Sequence, residues 1–300
     1  MAILMVDYVN QATQPRKKAL VQKISNESVF LRVLRFIPVD GLSYEYGEQT
    51  TTGGIAFRSL NENYTEDVGV VNPRIEPLKI FGGTVKTDHQ LVNKQGNLAR
   101  ANSLLAKTRR AGLFFDKAVI DGDAGANPKS FVGLNVRLVN KQVISAGTNG
   151  AVLTLAMVDS LLDAVLGTND QKVLVMCKAD RRKTKQLILA AAGGAAVTDV
   201  GGSLGSYDGA KIEVIDEDGD DQPILDKDED QGTSHVTSSM YCIRPGSDTD
   251  GEFMQGLVGS QMIETYPSGM DGVMHVDVID ANMGIALFHG RSAARLKGIL

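Results

Sequence analysis

Tryptophan is absent from the 300 residues, and all aromatics together make up only 5% of them, against 32 glycines. Many turns and few aromatic anchors fit an irregular α+β chain better than a helix bundle. The two cysteines, Cys177 and Cys242, lie far apart. That excludes a disulfide-stapled scaffold and fits a reducing compartment. Cys177 ends the run Val173-Leu174-Val175-Met176-Cys177, where a thiol serves as a small buried apolar group; a disulfide or metal role is the minor alternative. The four histidines, His89, His235, His275 and His289, show no zinc-type spacing and read as surface or strand residues. There is no G-x-S-x-G elbow and no Walker motif, and Gly201-Gly202-Ser203-Leu204-Gly205 lacks the lysine of a phosphate cradle. No apolar run approaches the ~20 residues of a membrane span. Met1 to Asn10 carries Asp7 without a basic flank, unlike a signal peptide. The expectation is a soluble protein that is not an enzyme and carries no cofactor or resident metal.

What is present is a globular chain of 32.1 kDa, 43% hydrophobic and 22% charged, enough for one large domain or two smaller ones. Its net charge of -5 is unevenly spread. Asp216 to Asp230 holds nine acidic residues and one lysine, a local -8 that leaves +3 on the rest of the chain. Asp216, Asp218 and Asp220 have the alternate spacing of a calcium loop's first ligands, but Asp221 stands where the turn glycine belongs and Lys227 where the terminal glutamate belongs. A solvated loop projecting from the body is therefore expected, with weak cation binding as the alternative.

The periodicity then divides the chain. Arg16, Lys17, Lys18 and Lys23 make the start basic, and a short helix is expected over Glu27 to Arg35. From Phe36 to Asn72, Leu42-Ser43-Tyr44-Glu45-Tyr46 and Ile55-Ala56-Phe57-Arg58 flank a Thr- and Gly-rich break, the pattern of an extended hairpin. It has too few large apolar residues for a core of its own, so a neighbouring subunit is expected to order it. Gln95 to Gly122 reads as one long helix with Asn97 as N-cap, Gly122 as stop and Leu98, Leu105, Phe115 and Val119 on its inward face. At ~1.5 Å per residue it spans roughly 35–40 Å. Its basic residues, Arg100, Lys107, Arg109, Arg110 and Lys117, read as a solvated face. Beyond the turn-rich Asp121-Gly122-Asp123-Ala124-Gly125-Ala126-Asn127-Pro128 come helices over Thr154 to Leu166 and Asp180 to Ala192. Strands are expected over Lys172 to Cys177, Ala210 to Ile215, Phe253 to Leu257, Met262 to Tyr266, Val273 to Ile279 and Gly284 to Phe288.

This order of elements, with the Gly-Asp-x-x-x-Asn-Pro link, the Val173–Met176 strand before Arg181-Arg182, and the ending Ala293-Ala294-Arg295-Leu296-Lys297-Gly298-Ile299, resembles the major capsid proteins of tailed bacteriophages, the Hong Kong 97 fold shared with encapsulins. The resemblance implies an N-terminal arm over 1–35, an extended loop over 36–73, a peripheral domain over 74–140 and 257–300 with the spine helix at about 97–121, and an axial domain over 141–256. It implies self-assembly into pentamers and hexamers of an icosahedral head around double-stranded DNA contacted non-specifically. A separate scaffolding protein, a portal and a cement protein are the implied partners, and host cytoplasm the place of assembly. Subunit-interface candidates are Tyr44, Tyr46, Ile55, Phe57 and Arg58 in the loop and Arg16 and Lys17 in the arm. An encapsulin-like compartment for protein cargo is the alternative, and would need a pocket on the inner wall. Some capsids of this fold join a loop lysine to a neighbour's asparagine. No lysine lies between Lys23 and Lys79 here, so non-covalent contacts alone are expected.

Overall fold

The computed structural model describes residues 3–4, 22, 26–51, 54–64, 70–191, 205–215, 217–220, 222–225, 227–247, 251 and 253–300. Arg16 and Lys17 lie outside them, as does the Gly201–Gly205 loop apart from its last residue.

Two mixed sheets and one two-stranded ribbon organise these residues. The first sheet runs in the order Ile3–Leu4, Arg35–Pro38, Met254–Asp271, Met274–Leu287, Lys79–Asp88. The four short strands expected after residue 252 merge into one hairpin of 18- and 14-residue strands. Register shifts between Val258 and Ile263 and between Pro267 and Gly269 absorb the Gly- and Pro-containing breaks that had suggested ends. Gly256 is required in that hairpin, because a Cβ there would overlap the ring of Phe36.

The long helix, Asn97–Asp121, crosses this sheet. Gly96 at φ 69° precedes it and joins it to a seven-residue helix, His89–Gln95. Asn97 is thus the first helical residue, and no side chain caps the start. Gly122 ends the helix as expected, its N–H donating to the Ala118 carbonyl at 2.9 Å. Gly133 N–H then donates to the Gly122 carbonyl at 2.7 Å, and a Cβ on Gly133 would stand 2.6 Å from the Gly122 nitrogen. That close approach folds the Gly-Asp-x-x-x-Asn-Pro link back onto the helix.

The second sheet runs in the order Val143–Ser145, Ala293–Ile299, Ser234–Ile243, Val173–Met176, Ala210–Val214, Ser206–Tyr207, with Glu229–Gln231 beside Ser234–Ile243. It is buried on both faces. Val173 and Val175 join Phe115, Tyr241 and Ile243 in one core, whereas Leu174 and Met176 join Val158, Leu161, Leu162, Met240 and Cys242 in another. Alternate side chains of one strand enter two cores, which is why the run reads as continuously apolar. The helices Leu155–Ala164 and Lys178–Ala191 belong to this half. Arg35–Pro38, which spans the implied junction of arm and loop, lies in the first sheet, and Ala293–Ile299 lies in the second.

Candidate assembly surfaces

The ribbon pairs Ser43–Thr51 with Val70–Pro77, antiparallel, so a hairpin forms with the expected first strand, but Ile55–Arg58, expected as its second strand, lies outside any strand and belongs to the connection between the two. Its base is anchored in its own chain. Tyr44 and Tyr46 lie against Phe288 with ring centroids 6.1 and 4.6 Å away, and the Tyr46 hydroxyl donates to the Leu287 carbonyl at 2.9 Å. Arg137 grips Glu76 on the returning strand with two bonds of 2.6 and 2.7 Å. These contacts correct the expectation that the hairpin lacks partners within its chain. Beyond the base the described apolar side chains stand in water. Ile55 and Phe57 are 101% and 108% exposed, and Leu60 93%. The Arg58 guanidinium bonds the Glu62 carbonyl at 3.4 Å and lies 5.3 Å from the centre of the Tyr64 ring, which shapes the tip but covers none of these apolar groups.

A second junction ties the arm to the long helix. The short helix forms over Val29–Val33, inside the expected span, with Ser28 capping Leu31 N–H at 3.1 Å. The buried Asp116 carboxylate of the long helix accepts from Ser28 Oγ at 2.6 Å, Val29 N–H at 2.8 Å and Phe30 N–H at 3.1 Å. Burial pushes the Asp116 pKa up to about 6, against the opposing pull of those three donors and of Arg32. Arg109 pairs with Glu27 at 3.1 Å beside it.

Three more basic residues of the helix find partners too. Arg100 holds Asp277 of the Met274–Leu287 strand with both ends of its guanidinium. Lys117 reaches Asp218 at 2.6 Å, and Arg110 pairs with Asp220. The bond from Lys117 holds the Asp218 carboxyl below its ordinary range. Asp218 and Asp220 of the acidic run therefore bind the helix rather than projecting from the body, Glu229 pairs instead with Arg295 and Asp230 with His235, and four of the five basic residues of the helix are paired rather than simply solvated. Opposite signs, separated by about a hundred residues, find each other because the Ala210–Val214 strand delivers the run to the helix's flank. An open cleft of about 740 Å³ lies between them, with Val85, Lys107, Arg110, Leu113, Ile215 and Ile224 among its walls.

The inward face of the long helix also differs in part. Phe115 and Val119 are fully buried, and Phe36, Phe81 and Phe131 surround Phe115 at centroid distances of 6.0 to 6.4 Å. Leu98, Leu105 and Phe114 are instead exposed. Thr108 and Asp116 take buried positions, the first returning its hydroxyl to the Leu104 carbonyl at 2.7 Å. Apolar periodicity could not see them, because their polarity is satisfied only by the fold.

Among the described residues, no group of three or more His, Cys, Asp or Glu side chains is placed to hold a metal ion, and no helix is long and apolar enough to cross a membrane. Burial pushes the Cys242 thiol up to about 12 and raises that of Cys177, which disfavours the thiolate in both.

No sequence-family model matches the chain, and no curated protein sequence matches it. Solved structures do. The chain is similar to the SrpI encapsulin of Synechococcus elongatus PCC 7942, with a TM-score of 0.64 and 15% identity over 96% of this chain and 89% of that one. It is similar to the capsid of a native GTA particle, with a TM-score of 0.65 and 15% identity over 93% and 91%. For Mycobacterium phage Ogopogo the TM-score is 0.60, with 12% identity over 90% and 91%. The chain has the Hong Kong 97 fold common to phage capsids and encapsulins, an α+β architecture, as its order of elements had implied.

Proposed function

We propose that this chain is the structural subunit of an icosahedral phage head, assembling with itself into pentamers and hexamers around double-stranded DNA, with no catalytic role. The observation that carries this is the hairpin tip. Ile55, Phe57 and Leu60 are held in water on a ribbon whose base is fixed to its own core. Full burial is worth about 1.5–3 kcal/mol for each such side chain. A neighbouring copy that covers three of them gains several kcal/mol per subunit. Head-to-tail contacts of that kind close into rings when the rotation permits, and repetition around a shell multiplies weak contacts. Ile55, Phe57 and Arg58 would make the contact across subunits, with Tyr44 and Tyr46 setting the hairpin's angle and Arg16 and Lys17 reaching from the arm. A scaffolding protein, a portal and a cement protein are the further partners of such a head, which would assemble in the host cytoplasm and reside in the virion.

Negative-stain microscopy tests this directly. Purified full-length protein is expected to give shells or capsomer rings, and removal of residues 54–64 is expected to leave a folded protein that gives neither. Intact shells from that deletion would refute the hairpin's role. The cleft beside the long helix favours a second reading, a compartment enclosing protein cargo, because it could seat a short peptide. Particles that co-purify with a protein rather than with nucleic acid would favour it.

A further inference from the structure

Two histidines 186 residues apart meet where the His89–Gln95 helix leaves the first sheet: His89 Nδ1 lies 3.0 Å from His275 Nε2, with ring centroids 5.2 Å apart. We propose that His89 and His275 form a binding site for one divalent transition-metal ion of the imidazole-seeking kind, such as Zn²⁺, Co²⁺ or Ni²⁺. Both residues sit on firm backbone. His275 lies in the Met274–Leu287 strand directly opposite Thr87, and His89 N–H donates to the Val273 carbonyl at 2.9 Å. Two imidazole nitrogens bound at ~2.1 Å to one ion stand roughly 3.0 Å apart at a right angle and ~3.4 Å apart at a tetrahedral one. The observed 3.0 Å separation equals the right-angle value.

A separate observation points to a ligand at this place. Opposed residues of paired strands share a face of the sheet, so Thr87 stands on the same side as His275. Its hydroxyl oxygen is buried, with the residue 3% exposed, and has no hydrogen-bond partner. A buried hydroxyl left unpaired costs about 1–3 kcal/mol, so such atoms normally have a partner. A hydrogen bond between the two rings alone leaves Thr87 orphaned. A water or hydroxide completing the metal's coordination on the Thr87 side would supply what it lacks. The surroundings do not repel a cation: the Asp88 carboxylate is close in sequence, capping Gln90 N–H at 2.7 Å, and Lys86 is neutralised by Asp271 at 2.5 Å. Imidazole is a ligand of choice for Zn²⁺, Ni²⁺ and Cu²⁺, whereas Ca²⁺ and Mg²⁺ prefer oxygen. The bound ion would clamp the helix start to the sheet.

The test uses full-length protein freed of metal by chelator and titrated with Co²⁺, whose visible absorption reports ligand nitrogen, and with Zn²⁺ by calorimetry. One saturable equivalent is expected, accompanied by a rise in melting temperature that the chelator reverses. His89→Gln and His275→Gln are each expected to weaken binding by about tenfold or more, given that even outer-shell changes cost 10- to 100-fold, while His235→Gln and His289→Gln leave it unchanged. Absence of saturable binding to the unaltered protein at millimolar metal overturns the proposal, whatever the variants do. So does binding that survives both His89→Gln and His275→Gln.

Discussion

Asp116 gives the fold a pH dependence of unusual sign. Its carboxyl titrates near 6 in the folded protein, against 3.8 for the free group, because burial penalises the charge more than its three donors reward it. Between those values the folded state binds more protons than the unfolded state. Stability contributed by this group is therefore full below the unfolded pKa and lost as pH rises through the folded one. About two pKa units correspond to a loss on the order of 3 kcal/mol, which is large against a domain's total. Asp116→Asn removes the titration but keeps one acceptor, and its amide hydrogens face donors, at a cost of about 1–3 kcal/mol. That cost opposes the relief from burying no charge, so the variant should be nearly as stable as the parent at neutral pH and clearly less stable in mild acid. Asp116→Ala orphans Ser28 Oγ, Val29 N–H and Phe30 N–H together and should be destabilised at every pH by several kcal/mol. Urea unfolding of unassembled protein at a series of pH values from about 4 to 8 measures all three. Burial also raises the Asp121 carboxyl, so the difference between parent and Asp116→Asn is the quantity to read. A difference that does not change with pH would refute the reasoning.

Phe115→Ala should cost about 3–5 kcal/mol in equilibrium unfolding, since its ring is fully buried among three other phenylalanines. Leu105→Ala, at 37% exposure, should cost markedly less. Lys117→Ala should weaken the docking of the acidic run with at most about 1 kcal/mol of effect on stability, read as faster proteolysis around residues 217–220 and mimicked in the parent by high salt. Assembled particles boiled in detergent under reducing conditions should run as monomers of about 32.1 kDa, and a ladder of oligomers would contradict the lysine-free hairpin.

Local signals were legible in the sequence where one segment decides its own state. The long helix shows because 25 residues repeat a 3.6-residue period, and the Val173–Met176 strand because both its faces are buried. The first strand of the hairpin shows through its alternation, whereas its partner is Val70–Pro77 rather than the Ile55–Arg58 stretch whose alternation suggested it. What the sequence hid depends on pairing between distant segments. Ser234–Ile243 begins with Ser-His-Val-Thr-Ser-Ser, weak strand material, and becomes a central strand because Ala293–Ile299 and Val173–Met176 flank it. The polar half of that strand is tolerated for the same reason: Ser238 Oγ donates to Asp180 at 2.8 Å, and Ser239 receives Arg295 Nε at 3.0 Å.

The same distinction governs the assembly surfaces. Charges on the long helix and in the acidic run look in sequence like two solvated stretches, and Lys117 meets Asp218 and Arg110 meets Asp220 only once the second sheet is built. Tyr44 and Tyr46 look equivalent to Ile55 and Phe57 in an alternating hairpin, yet the first pair packs on Phe288 whereas the second pair is fully exposed among the described residues. That division is informative because the ribbon is not loosely attached. A bidentate ion pair at Glu76, a buried-end tyrosine hydroxyl and an aromatic cluster fix its base. An apolar tip on a loose loop could collapse onto the nearest core, whereas a tip on an anchored two-stranded arm is held away from its own. The apolar side chains at 55, 57 and 60 can then leave water only against another molecule, and anchoring the arm in advance lowers the entropy cost of that contact.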